Sequence, residues 1–345
     1  MSKQIMIGTV PCGGGAPVSI QSMTNTKTKN IPATLAQIRK LEDAGCEIIR
    51  LAVPDLQSAQ CVESIKEQTS VPLVADIHFD YRLALCCMEQ GIDKIRINPG
   101  NIGSMDRVKA VAAMAKQKGV PIRIGVNGGS LEPALLERYG RPCPEAMVES
   151  ALGHIRMLEQ CDFDQIAVSL KSSSVADTVA AYRLMRQACD YPLHVGVTEA
   201  GTQYGGIIKS AMGIGALLLD GIGDTIRVSL TADPVEEVRC AKELLKAAGL
   251  RNSGVTVVSC PTCARCNVNL IPIAEAVTKA VEHCPKTIKV AVMGCAVNGP
   301  GEAKDADLGL AGGKGCMLLF KHGEIVRKVS ENEAVAALLD EIDQL

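Results

Sequence analysis

From residue 18 to about residue 248, short β-rich runs alternate with longer amphipathic stretches. The runs are Val18–Met23, Ile48–Val53, Leu73–Ile77, Lys94–Asn98, Ile122–Asn127, Gln165–Leu170, Leu193–Val197 and Thr225–Leu230. Between them apolar residues recur at helical spacing, as in Thr34–Ala44, Ser104–Lys118 and Val235–Ala247. Strands separated by helices pair in parallel through right-handed crossovers. Eight such units in about 230 residues predict an α/β fold with a (β/α)8 TIM-type barrel. An open doubly wound sheet is the alternative arrangement of the same units.

Successive residues of a strand face opposite sides. Ile49, Leu51 and Val53 share one face of the second run, with Arg50 and Ala52 on the other. Ile95 and Ile97 oppose Arg96 and Asn98; Ile122, Ile124 and Val126 oppose Arg123, Gly125 and Asn127. Ile166, Val168 and Leu170 oppose Ser169 and Lys171, and Ile226, Val228 and Leu230 oppose Arg227 and Ser229. The branched faces suit packing against helices, which leaves Arg50, Arg96, Arg123, Lys171 and Arg227 pointing into the barrel. Barrel interiors are ordinarily filled with branched apolar side chains. A buried cation without a partner costs several kcal/mol, and Asp76 and Glu199 cannot neutralise five. An anionic ligand would supply the missing charge, and the planar fork of Arg suits phosphate. A solvated antiparallel sheet would also alternate in this way, but the long helical connections argue against one.

Composition narrows the classes. The net charge of −2 gives no bulk basic field for nucleic acid or anionic lipid. Aromatics make up 2%, so platforms for stacking bases are few. No apolar run reaches the roughly 18 residues of a membrane span, and Met1-Ser2-Lys3-Gln4 does not open a signal peptide. A cytoplasmic protein is expected, and its 15 Cys are expected to be reduced. Cys46, Cys61, Cys86, Cys87, Cys161 and Cys189 fall in apolar helical patterns, where Cys serves as a small hydrophobe.

The pattern changes after residue 250, which divides the chain into a barrel over 1–250 and a small α+β domain over 251–345. Cys260-Pro261-Thr262-Cys263-Ala264-Arg265-Cys266 follows a strand expected at Val255–Val258. A second strand, Ile288–Val292, runs into Met293-Gly294-Cys295 and on to Asn298-Gly299-Pro300-Gly301-Glu302. C-x-x-C lets two thiolates grip one centre from a tight turn, and Cys295 supplies a third, which fits an iron–sulfur cluster. A zinc ribbon also starts with C-x-x-C but wants a second close pair. A thioredoxin-like redox pair would leave Cys295 unexplained. All three readings stay open on spacing alone. Gly312-Gly313-Lys314-Gly315 is not a phosphate-binding P-loop, because Cys316 stands where Ser or Thr belongs; it reads as a turn.

Several ordered segments carry a resemblance. They are Gln21-Ser22-Met23-Thr24-Asn25-Thr26, Val74-Ala75-Asp76-Ile77-His78-Phe79-Asp80, Arg96-Ile97-Asn98-Pro99-Gly100-Asn101 and Arg123-Ile124-Gly125-Val126-Asn127. Val197-Thr198-Glu199-Ala200-Gly201, Leu217 through Arg227 and the two Cys segments complete the set. Over nearly its whole length the chain resembles the IspG/GcpE family of 4-hydroxy-3-methylbut-2-enyl diphosphate synthases, in its bacterial two-domain form. The resemblance implies reductive ring opening and dehydration of 2-C-methyl-D-erythritol 2,4-cyclodiphosphate in the methylerythritol phosphate route to isoprenoids. It implies a 4Fe–4S cluster held by Cys260, Cys263, Cys295 and Glu302, with Cys266 an extra thiol beside the site. Substrate-contacting positions carry over to Arg50, Asp76, His78, Arg96, Asn98, Arg123, Asn127, Lys171, Arg227 and Ser229. The acid/base position carries over to Glu199, which residues alone read equally well as an ion-pair partner. A ferredoxin or flavodoxin is the implied electron donor. Rival readings are another barrel enzyme, such as a pterin-binding synthase, and a non-catalytic metal-binding module. Only Gly249–Gly254 joins the last barrel helix to the cysteine domain, roughly 20 Å when extended. A homodimer sharing its active site between chains is therefore expected.

Overall fold

Parallel pairing of the predicted strands closes on itself. In the computed structural model, which describes all residues except 252, 253, 283 and 297–302 and the side chain of Ser130, the chain divides into Met1–Arg251 and Asn252–Leu345. The first unit opens with an antiparallel hairpin of β1 (Ile5–Ile7) and β2 (Val10–Cys12). The barrel strands follow: β3 (Ser19–Met23), β4 (Ile48–Ala52), β5 (Leu73–Asp76), β6 (Lys94–Ile97), β7 (Ile122–Asn127), β8 (Ile166–Lys171), β9 (His194–Val195) and β10 (Thr225–Ile226). They lie in the order β8-β7-β6-β5-β4-β3-β10-β9. A parallel bridge of Val168 with Leu193, and Val168 N–H donating to Pro192 O at 2.9 Å, bring β9 back to β8. That closure excludes the open doubly wound sheet.

The two-residue period holds around the barrel. Ile49, Leu51, Ile95, Ile97, Ile122, Ile124, Val126, Ile166 and Val168 join Ile38, Leu41, Val108, Val111, Leu158 and Leu245 of the surrounding helices in one core. At the other end of the interior, Ile5, Ile7 and Cys12 of the hairpin pack on Ile48, Val74 and Ala167 and form an apolar floor. The helices begin where side chains can satisfy free N–H groups. Asn30 caps Ile31–Asp43 through Ala33 N, and Asp80 caps Tyr81–Glu89 through Arg82 N. Asp80 and Arg82 also form an exposed ion pair at 2.7 Å, so this pair belongs to the helix start.

β9 and β10 are much shorter than the predicted Leu193–Val197 and Thr225–Leu230. Arg227 N still donates to Val195 O, but Thr198 N then turns to Ser172 O beyond β8. The ladder ends beside Gly196, where an added Cβ would meet Arg227 O at 2.6 Å.

The second unit is α+β. Its sheet runs β11 (Thr256–Ser259), β12 (Lys289–Met293), β13 (Leu308–Gly312), β14 (Met317–Lys321) and β15 (Glu324–Val329), parallel at first and antiparallel from β13 onward. Leu270–Ala280 and Ala334–Asp343 are helices whose Leu270, Val277, Leu338 and Ile342 pack on Val290, Val292, Leu308 and Leu310. Gly313 N donates to Cys316 O in the turn between β13 and β14, as expected for the glycine-rich segment. Among the described residues no helix is long and apolar enough to cross a membrane.

Candidate active site

The barrel interior of the first unit is lined with cations. Asp76, Arg96 and Arg123 stand side by side in register on β5, β6 and β7. Asp76 sits between two guanidiniums: Arg96 Nη1 is 3.1 Å from Oδ1, and Arg50 Nε is 3.6 Å from Oδ2. Burial raises the Asp76 pKa, but Arg50, Arg96, Arg123 and His78 together outweigh it and hold the carboxyl well below the usual range. His78, with its side chain 58% exposed, places Nε2 3.9 Å from Asp76 Oδ2 and Nδ1 3.5 Å from Arg96 Nη1.

Arg123 is wholly buried, and its Nη1 donates to Ser169 Oγ at 3.0 Å. Its Nε and Nη2 have no partner among the described residues. Burial, then the nearby Arg50 and Arg96, push its pKa well down; since a guanidinium stays protonated in proteins, the direction reflects a charge that is costly to bury beside other cations. Lys171, at the end of β8, is buried too, and burial with Arg50, Arg227, Arg123 and Arg96 lowers its pKa strongly. No described carboxylate forms an ion pair with it. Arg227 has one, Glu237, at 3.6 Å.

Glu237 is a residue that the sequence pattern did not reveal. It reaches in from the helix Pro234–Ala247, accepts from Ser22 Oγ and Leu230 N at 3.0 Å each, and is the second buried carboxylate of this interior. Its signal was an acidic residue in line with Val238, Ala241 and Leu245 on a buried helix face. Lys94 was missed as well, although it shares a face with Arg96 two residues on.

The remaining predicted residues gather at the C-terminal ends of the strands. Asn98 follows β6 and caps the short turn after it, its Oδ1 accepting from Gly100 N at 3.1 Å. Asn127 ends β7 opposite Lys171, and Ser229 lies half-buried just beyond β10. Glu199 lies in the loop after β9, exposed and in the left-handed backbone region at φ 52°. That conformation costs a non-glycine residue roughly 1–2 kcal/mol. Arg96 crosses the face of Gly125, where an added Cβ would stand 2.3 Å from its Nε. Glycine is needed there for a close approach.

The second unit holds the cysteine cluster. Ser259 of β11 pairs with Val292 of β12, so Cys260 and Cys295 leave the C-terminal ends of neighbouring parallel strands. Cys260 Sγ accepts from Gly294 N at 3.2 Å. Cys263 is exposed, and hydrogen bonds from the backbone and side chain of Arg265 lower its pKa. The contacts at Cys263 favour its thiolate, the form that binds metal. Cys266 Sγ donates to Val268 O at 3.2 Å and lies against Gly294, where an added Cβ would stand 2.6 Å from it. Among the described residues no three His, Cys, Asp or Glu side chains already converge as ligands of a metal ion. Glu302, the expected fourth ligand, lies outside the described residues. The donor set suits a thiolate-ligated centre in chemistry and in topology. Elsewhere burial pushes the thiols of Cys46 and Cys87 up to about 12, as inert core cysteines require.

A closed parallel barrel with a cation-lined interior, followed by a unit with cysteines at adjoining strand ends, defines a two-domain α/β-barrel protein. The chain belongs to the GcpE family: the GcpE TIM-barrel domain model matches residues 2–242 and the GcpE protein C-terminal domain model matches residues 256–344. It is 58% identical over 344 residues to the 4-hydroxy-3-methylbut-2-en-1-yl diphosphate synthase (flavodoxin) of Ruminiclostridium cellulolyticum, covering 100% of this chain and 98% of the relative. Identity to the protein of the same name from Geobacter sulfurreducens is also 58%, with the same coverage. The one from Geobacillus thermodenitrificans is 56% identical over 100% of this chain and 92% of the relative. Among solved structures, dihydropteroate synthase of Yersinia pestis superposes with a TM-score of 0.52 at 13% identity, over 72% of this chain and 100% of that one. The Stenotrophomonas maltophilia enzyme gives 0.53 at 13%, over 71% and 98%. These likenesses concern the barrel fold alone.

Proposed function

We propose that this chain is a cytoplasmic synthase that opens the ring of 2-C-methyl-D-erythritol 2,4-cyclodiphosphate reductively and dehydrates it to 4-hydroxy-3-methylbut-2-enyl diphosphate. Two electrons enter, the ring C–O bond to the diphosphate breaks, and one hydroxyl leaves as water. The observation that carries the reading is the barrel interior, where Arg50, Arg96, Arg123, Lys171 and Arg227 face only Asp76 and Glu237 among the described carboxylates. Unpaired N–H groups of Arg96, Arg123 and Arg227 are left for a ligand.

Arg50, Arg96, Arg123, Lys171 and Arg227 hold the cyclic diphosphate. As the ring C–O bond breaks, the freed diphosphate gains negative charge, and preorganised cations stabilise that change. Asp76 fixes the positions of Arg50 and Arg96 and, with His78, Asn98, Asn127 and Ser229, orients the substrate at the mouth. Glu199, exposed at a strand end and free of ion pairs with described residues, donates the proton to the departing hydroxyl. Cys260, Cys263, Cys295 and Glu302 would hold a 4Fe–4S cluster, which supplies the electrons singly when bound. Flavodoxin is the electron donor in the names of the relatives, and a flavodoxin or ferredoxin serves this chain.

The working unit is a homodimer in which the cysteine unit of one chain serves the barrel of the other. Arg251, the last residue of the first unit, donates to Val18 O at 3.1 Å and pairs with Glu47 at 2.5 Å. Both partners lie just before barrel strands, so the chain is fixed at the end opposite the mouth as it leaves. Anaerobically reconstituted protein assayed with the cyclic diphosphate tests the reaction. Lys171→Met should abolish most turnover while leaving bound iron unchanged; turnover undiminished would refute the site. Mixing inactive Glu199→Gln and Cys295→Ala chains tests the sharing. Partial recovery supports it, and no recovery in verified heterodimers refutes it.

A further inference from the structure

One buried amine of the barrel interior has been given no role above. Lys94 opens β6, two residues before Arg96 on the same inward face, and is 1% exposed. Its Nζ makes a single long hydrogen bond, 3.5 Å to Gln21 Oε1. No described carboxylate lies within ion-pair reach of it. The groups that face it come from five elements: Cys12 of β2, Gln21 of β3, Arg50 of β4, Arg123 of β7 and His194 of β9. None supplies a negative charge. Burial keeps the Cys12 thiol protonated, and burial together with Arg123, Lys171, Lys94 and Arg50 keeps His194 neutral. Both ring nitrogens of His194 and the Nε2 of Gln21 lack partners among the described residues. An ammonium here would lose its hydration and meet only like charges. Burial, then Arg123 and Arg50, bring its pKa down to about 7.

We propose that Lys94 is a proton-uptake site coupled to substrate binding: buried without a described counter-ion in the ligand-free barrel, its amine takes a proton from solvent when the diphosphate settles among the neighbouring arginines. This rests on the reading of the barrel as a diphosphate site. The amine becomes an ammonium, so the bound state gains one cation that the free state could not hold. The direction follows from charge. An anion nearby favours the protonated form, so the pKa of Lys94 rises on binding. Between about pH 7 and that raised value, binding absorbs protons, and affinity falls as pH rises, by up to about tenfold per pH unit for one proton. The ring diphosphate bears no phosphomonoester and does not titrate there, so the uptake belongs to the protein.

Calorimetry of the cyclic diphosphate binding to the whole protein, at about pH 8 in buffers of different ionisation enthalpy, counts the protons. Lys171 is a second buried amine and contributes its own uptake, so the reading is the difference between wild type and Lys94→Met. We expect up to about one proton fewer per site in the variant and at least about tenfold weaker binding at neutral pH. Thermal stability of the ligand-free variant should be unchanged or higher, because methionine fills the space without a buried amine; a purely structural lysine would give the reverse. Wild type that binds without proton uptake overturns the inference with no variant needed. Equal uptake in Lys94→Met and wild type overturns it too, and in both cases the diphosphate site stands. Wild type that fails to bind the compound overturns both readings.

Discussion

Asp76→Asn removes one of the two carboxylates buried among the barrel cations and leaves a side chain of nearly the same size. The lost partners are Arg96 at 3.1 Å and Arg50 at 3.6 Å, with the Asp76 side chain only 7% exposed. Removing one member of a buried ion pair typically costs about 3–5 kcal/mol, because the other member is left charged and unpaired. Total stabilities are about 5–15 kcal/mol, so the barrel transition should move visibly in urea. The sign with pH follows from the depressed folded pKa. The stabilisation is complete above the unfolded Asp value of about 3.9 and is lost as pH falls below it toward the folded value. The gap between wild type and variant should therefore be constant from neutral pH to about pH 5 and narrow below about pH 4. Urea unfolding at a series of pH values, followed by a probe in the barrel, measures it. A loss under about 1 kcal/mol, or a gap indifferent to acid, would refute the role given to Asp76.

Gly125→Ala should displace Arg96, whose Nε stands 2.3 Å from the added Cβ, and weaken substrate binding roughly tenfold with no change of charge, corresponding to one charge-assisted bond; calorimetry decides. Arg123→Lys keeps the charge but loses the fork, and affinity should fall about 10- to 100-fold; unchanged affinity counts against the diphosphate site. Iron and sulfide should be lost from Cys260→Ala, Cys263→Ala and Cys295→Ala but retained in Cys266→Ala, whose thiol is already bonded to Val268 O. The reverse pattern in elemental analysis would move the ligand set.

Alternation made the barrel legible. A parallel strand under helices must turn its branched residues outward, so the two-residue period alone places Arg50, Arg96, Arg123, Lys171 and Arg227 inside. Lys94 obeys the same rule but sits at the very start of its strand, where the pattern has only one neighbour to define it. Glu237 was hidden because it enters from a helix, and the period of a helix does not report on a barrel interior. The hairpin β1–β2 and the strands β13–β15 escaped for another reason. The first strands are three residues long, and β13–β15 pair antiparallel in a small sheet without the crossover helices that marked the barrel. The C-x-x-C turn and Cys295 announced a shared centre through spacing, and β11 lying beside β12 supplies the neighbourhood that spacing alone could not. Strand ends at β9 and β10 were misjudged because Gly196 brings two backbones together and stops the ladder.

The apolar floor formed by Ile5, Ile7 and Cys12 against Ile48, Val74 and Ala167 shapes more than the packing. It backs the cationic column with a low-dielectric wall, and a charged cleft with such walls focuses its field lines toward the water at its open end. The whole chain carries a net charge of −2 and so repels anions weakly at long range. Close to the mouth the sign reverses. For the proposed dianionic substrate the plugged barrel would act as an electrostatic lens, and its strength would fade as added salt shortens the Debye length.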